Sequence, residues 1–261
     1  IIYKRFSVRH HVLKIFSESG KKNFVIREEK KNEIKNSMNA NAKQLGLVVI
    51  AQYIENQGTT LICSAFLPLD IIGKYGLTLQ ILSVIASVAT TPTTTFQPVL
   101  NQYVVNGKKD QLKKLYSLLT VIITITFWIG VIVAAILVPY LLMLVESKTS
   151  MLDGVTLMIM AFYQFEIIMH QRATKLISYT NIQPYVKSYI LTAIAELLVA
   201  TIAFVVLDAS ITVYVAGLAM AEIYNFIVWV NRASTLVGEN VLGLYTKGIK
   251  ECINYFRNFG D

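Results

Sequence analysis

Six long stretches of this chain are almost bare of lysine and arginine, and those residues crowd into every second gap between them. A stretch of about 20 apolar residues is the length that crosses the hydrocarbon core of a bilayer, so the pattern predicts a polytopic membrane protein. The spans read as Gln44 to Leu67, Tyr75 to Val105, Leu115 to Val145, Gly154 to Gln171, Ser188 to Leu207 and Ile211 to Val230. Helices are required, because a lipid-facing backbone must satisfy its hydrogen bonds within each segment. The fourth span is short and carries Glu166 and His170.

Taking the gaps alternately as inside and outside assigns 22 of the 24 basic residues to one side, with only Lys74 and Lys148 opposite. Positive charge is retained on the cytoplasmic side during insertion, so both termini are expected to be cytoplasmic. The net charge of +8 follows from these loops. Membrane-flanking cations facing anionic lipid account for it without a nucleic-acid partner. Three regions follow: a basic connector over 1–43, a six-helix lobe over 44–230, and an amphipathic tail over 231–261. The connector has an apolar stripe of Phe6, Val12, Leu13 and Phe16, and its His10 and His11 read as solvated. In the tail Leu242, Tyr245, Ile249, Ile253 and Phe256 recur at helical spacing beside Lys247, Lys250 and Arg257. That pattern suits a helix in the inner headgroup layer, and a partly ordered tail is the alternative. The chain opens on Ile1 rather than Met, which leads us to expect that an N-terminal portion precedes it.

An ionisable group at the bilayer centre costs about 2.5 to 3.5 kcal/mol on insertion scales, so carboxylates kept within spans are shielded or used. There are four: Glu55, Glu166, Glu196 and Glu222. Gln52, Glu55, Asn56 and Thr59 share a helical face, with Gln57 adjacent. That face either lines a cavity for a cation, proton or sugar hydroxyl or makes structural hydrogen bonds between helices. Tyr163, Glu166 and His170 form another stripe, with Thr174 a turn beyond; a carboxylate one turn from an imidazole could relay protons, hold a cation, or form a buried local pair. Glu222 has Asn225 on its stripe, and Glu196 has only Thr192.

The second span carries Pro92 and Pro98 among five threonines, with Gln97 between them. Each proline removes a backbone donor and frees an upstream carbonyl, so a kink is expected, and a kink can serve as a hinge or be structural only. Cys63 and Cys252 fall on opposite sides of the bilayer and cannot pair with each other. No phosphate-cradling glycine loop, metal-spaced Cys and His cluster or nucleophile elbow is visible, which argues against an enzyme.

The run Ile72-Gly73-Lys74-Tyr75-Gly76-Leu77-Thr78-Leu79-Gln80, then the proline-bearing stretch and the Gly107 to Lys109 turn, follow one another in an order that resembles the multidrug/oligosaccharidyl-lipid/polysaccharide exporter superfamily, and within it the polysaccharide flippases that include Wzx-type O-antigen transporters. Members have two six-helix lobes, so the resemblance implies an all-α integral membrane lobe, the C-terminal half of a MATE/MOP-type transporter. It further implies alternating access in the bacterial inner membrane, carrying an undecaprenyl-diphosphate-linked oligosaccharide. The partners so implied are that lipid-linked oligosaccharide, membrane lipids, a preceding N-terminal lobe, and polysaccharide polymerase and assembly proteins. In this frame Glu55, Asn56, Gln57 and Gln97 face the cavity, and Arg172 and Lys175 stand at the cytoplasmic mouth, where positive-inside topology explains them equally well. Glu166, His170 and Glu222 would couple transport to protons or sodium, with no organic cofactor. Two other readings stay open: a cation-coupled multidrug antiporter, and a fragment that does not transport.

Overall fold

The computed structural model describes residues 28–207 and 209–259. Phe6, His10, His11, Val12, Leu13 and Phe16 of the connector, and the side chains of Asn56 and Phe256, lie outside the described residues. The chain divides into two compact units, residues 1–43 and 44–261.

Every described element is helical. Helix α1 (Glu28–Tyr53) passes into a π-helical turn, Ile54–Gly58, and then α2 (Thr59–Phe66). The expected first span is thus a broken run, because the π turn interrupts it at its most polar residues. Then come α3 (Leu69–Val105), α4 (Lys109–Leu144), α5 (Gly154–Ser178), α6 (Val186–Thr201) with a second π-helical turn at Ile202–Val206, α7 (Ile211–Val237) and α8 (Val241–Phe259). Four of these segments, α3, α4, α6 with its π turn, and α7, are long and apolar enough to cross a membrane, which makes the chain a multi-pass membrane protein. Helix α5 is long enough at 25 residues, but Glu166, His170, Arg172 and Lys175 make it more polar than those four.

Within the second unit neighbours follow one another as α8, α4, α3, α5, α7 and α6, and the most extensive packing joins α5 to α7. Most of α5 is buried. It can therefore carry polar groups that lipid would reject. Where α4, α5 and α7 meet, Phe127, Trp128, Phe165 and Phe226 form a chain of ring contacts with centroids 5.6 to 6.3 Å apart. Elsewhere Tyr214 of α7, fully buried, packs on Tyr75 and Phe204 and donates its hydroxyl to the Thr59 carbonyl.

The outward faces are apolar. Ile125, Ile129, Ile132 and Ile136 of α4 and Leu191, Ile194 and Leu198 of α6 are all at least half exposed, each set recurring every three or four residues. In water such stripes would aggregate; against acyl chains they are the expected surface.

Helix ends are fixed by local chemistry. Asp153 caps α5 by accepting from the Thr156 backbone amide at 2.9 Å, and hydrogen bonding with the Thr156 side chain first, then with that amide, holds its carboxyl below the usual range. Gly238 ends α7 with φ +79°, a conformation open to glycine at little cost. Helix α8 then packs along α4: a Cβ on Gly248 would stand 2.2 Å from the Ser117 carbonyl oxygen, so only a glycine allows this approach. Residues Val241–Phe259 of the tail form this helix, and 231–237 continue α7. One face of α8 docks on α4 through Leu244, Tyr245 and Gly248, while Leu242, Ile249 and Ile253 stay exposed.

Helix α3 runs unbroken through Pro92 and Pro98. The prolines leave the carbonyls of Val88 and Thr94 without their usual amides, and nearby hydroxyls bond other carbonyls of the same stretch: Thr91 and Thr95 donate to Ser87 O and Thr91 O at 2.8 and 3.0 Å. Cys63 is buried, Cys252 half-buried, and both are free thiols.

Candidate functional site

A set of buried polar side chains, most of them hydrogen-bonded to one another, joins α5, α6 and α7. On α5 the residues Tyr163, Glu166, His170 and Thr174, three or four apart, share the face directed at the other two helices. On α6 the corresponding stripe is Ser188, Thr192 and Glu196, and on α7 it is Glu222, Asn225 and Trp229. All ten side chains are buried.

At one end Trp229 Nε1 donates to Ser188 Oγ at 2.9 Å, and Ser188 donates in turn to Asn225 Oδ1. The Asn225 amide donates to Thr192 Oγ1 at 2.8 Å and more weakly to Glu222 Oε2 at 3.3 Å. The other oxygen of Glu222 meets His170 Nδ1 at 2.6 Å. The His170 ring lies tilted against Tyr189 with centroids 4.4 Å apart, and the Tyr189 hydroxyl reaches Thr174 Oγ1 at 3.2 Å. A separate bond, from Tyr163 Oη to Glu196 Oε1 at 2.9 Å, ties α5 to α6.

The four carboxylates of the spans share electrostatic range through Glu222 without forming a ligand cluster among the described residues. The charges of Glu55, Glu166 and Glu196 each interact with that of Glu222, and Glu196 also interacts with Glu55. Glu166 is completely enclosed, yet neither of its oxygens has a hydrogen-bond partner among the described residues. One oxygen each of Glu55 and Glu196, and His170 Nε2, are likewise unpartnered there. Buried polar atoms without partners are costly and rare, so this concentration makes the α5–α6–α7 interior the strongest candidate for a site. Glu55 sits within the first π turn, and π turns inside helices occur frequently at functional positions.

The remaining sequence candidates are spread around this centre. Gln57 is exposed, and Gln97 is half-buried on α3. Arg172 is buried on the α4 side of α5, where Nη2 donates at 2.7 Å to both Tyr116 O and Thr120 Oγ1 and the guanidinium lies 3.8 Å from the Tyr116 ring centre. Those bonds fasten α5 to α4 with no carboxylate opposite among the described residues. Lys175, one turn on, is exposed. Among the described residues no three His, Cys, Asp or Glu side chains come close enough together to hold a metal ion.

Sequence spacing alone missed Ser188, Tyr189 and Trp229. The Ser188, Thr192, Glu196 series at intervals of four was legible as a polar stripe on an otherwise apolar helix; Tyr189 and Trp229 carry no such signal. Glu196, with only Thr192 near it along its own helix, finds its hydroxyl partner on α5.

No protein-family model, curated protein or solved structure matches the chain.

Proposed function

We propose that this chain is a six-helix lobe of a proton-coupled membrane transporter of the polysaccharide flippase kind. In this reading α5 and the run from the end of α1 through α2 join the four apolar helices as spans, and both termini lie on the cytoplasmic side of a bacterial inner membrane. The observation that carries the proposal is the buried Glu222 centre: an imidazole bonded to one carboxylate, with three further carboxyls in electrostatic range and Glu166 left without a donor. Carboxylates ionised together in one apolar bundle repel strongly, so a change of charge at one is felt by the others. Such a group takes or releases protons as its surroundings open to either side, which is what coupling requires. Glu166 is the proton carrier, and His170 with Glu222 sets its field. Glu55 and its neighbours at the π turn face the transported molecule.

The cargo, an undecaprenyl-diphosphate-linked oligosaccharide, rests on the resemblance of Ile72 to Gln80 and Gly107 to Lys109 to the flippases. The test is Glu166→Gln and Glu55→Gln in the complete protein. Each variant should reduce surface polysaccharide by about a hundredfold or more, the lower end of what a positioned acid or base contributes, at unchanged membrane abundance. Normal display in both would overturn the assignment. Unchanged display together with altered resistance to cationic dyes would transfer the same acids to a drug antiporter.

A further inference from the structure

The α6–α7 pair carries a second feature, a groove that shares Ser188, Thr192 and Trp229 with the buried network. Lys187 at the start of α6 and Arg232 near the end of α7 stand at the same end of the antiparallel pair. Between them opens a cavity of about 390 Å³, floored by Ser188 and Trp229 and walled by Leu191, Tyr224 and Val228. Arg232 is held by its guanidinium, 4.8 Å from the Trp229 ring. No ion pair among the described residues engages Lys187 or Arg232, so both charges are free to meet an anion. The backbone amides at the start of α6 add their partial positive charge, and no side chain caps them.

We propose that this groove binds an anionic phospholipid, its phosphate between Lys187 and Arg232 and one acyl chain along Leu191 and Val228. Charge complementarity selects the headgroup: two unpaired cations at the end of two membrane-crossing helices fit a phosphodiester and leave a zwitterionic headgroup's ammonium without an acceptor. The groove walls select a lipid over free phosphate, since Leu191 and Val228 offer apolar surface for an acyl chain. Arg232 also links the groove to the buried network, because its stacking partner Trp229 donates to Ser188 and so on to Asn225 and Glu222. The inference rests on α6 and α7 crossing the membrane and is independent of transport.

The experiment is native mass spectrometry of the detergent-purified chain with added phosphatidylglycerol or phosphatidylcholine of matched acyl chains. Phosphatidylglycerol should be retained about tenfold more strongly or better, since each cation near an anionic headgroup is worth about fivefold. The double variant Lys187→Gln with Arg232→Gln should abolish the preference, while Lys108→Gln with Lys109→Gln, exposed on another cytoplasmic loop, should keep it. Equal retention of both lipids, or equal loss in both variants, would overturn the groove as a lipid site. Competition by millimolar inorganic phosphate would also overturn it, because it would show an anion site with no role for the acyl chain. A melting curve of each variant in plain detergent, expected to match the parent, separates lost binding from lost fold.

Discussion

Asn225 is the hub of the buried network, and removing it has a calculable consequence. Its side chain is fully buried and joins α7 to α6 by two bonds, one accepted from Ser188 and one donated to Thr192 at 2.8 Å, with a third to Glu222 on its own helix. Hydrogen bonds between membrane helices contribute on average about 0.6 kcal/mol and at most about 1.7. Asn225→Ala therefore loses about 1 to 3 kcal/mol from its two interhelical bonds. At roughly 2 to 4 °C per kcal/mol for a chain of this size class, the midpoint falls by roughly 2 to 12 °C. The assay is thermal unfolding in detergent followed by far-ultraviolet circular dichroism; Trp229 fluorescence is unsuitable as the global readout because that indole is itself part of the network. The decisive measurement is a double-mutant cycle with Thr192→Val, which keeps the shape and removes the acceptor. Thr192→Val should be destabilising in the parent and nearly neutral in the Asn225→Ala background. If Asn225→Ala melts with the parent, or if the two changes are additive, the network does not hold α6 to α7 and the packing argument fails.

Two further outcomes concern the α8 contact. Gly248→Val places a side chain against the Ser117 carbonyl and the Val121 side chain, so α8 should move off α4 and maleimide labelling of the half-buried Cys252 should rise severalfold, with buried Cys63 as the unreactive internal control. Unchanged Cys252 labelling would count against the close approach. Glu239, bonded by Lys247 and 3.3 Å from Lys113, has its carboxyl held below the ordinary range by those two cations. A depressed acid contributes stability above its unfolded value and loses it as pH falls, so protease cleavage within α8 should increase below about pH 4.3. Glu239→Gln should remove that pH dependence; a parent-like acid response in the variant would assign the effect to another group.

Much of the fold was legible because lipid imposes a one-dimensional rule. Apolar length and loop charge decide which segments enter a bilayer, and neither depends on what a segment packs against. The segments read as the second, third, fifth and sixth spans correspond to the four helices that meet that rule in the structure. The segments read as the first and fourth spans are not among those four: Glu55 with its amide neighbours, and Glu166 with His170 and Arg172, are polar enough that lying within a bilayer would require burial by neighbouring helices. Only the tertiary structure supplies that burial.

The individual acids, the Tyr163-Glu166-His170-Thr174 face of α5 and the two prolines of α3 were present in the sequence as residue types at helical spacing. Helical periodicity relates residues a turn or two apart and says nothing about residues on different helices. Packing alone brought Glu222 to His170, Glu196 to Tyr163 and all four carboxylates into electrostatic range. It also turned Arg172 onto Tyr116 and Thr120, and pressed Gly248 of the amphipathic tail against α4. Membrane burial is thus written in composition, whereas the meeting of charges within the bundle depends on helix rotation and neighbour order, which close packing of side chains sets.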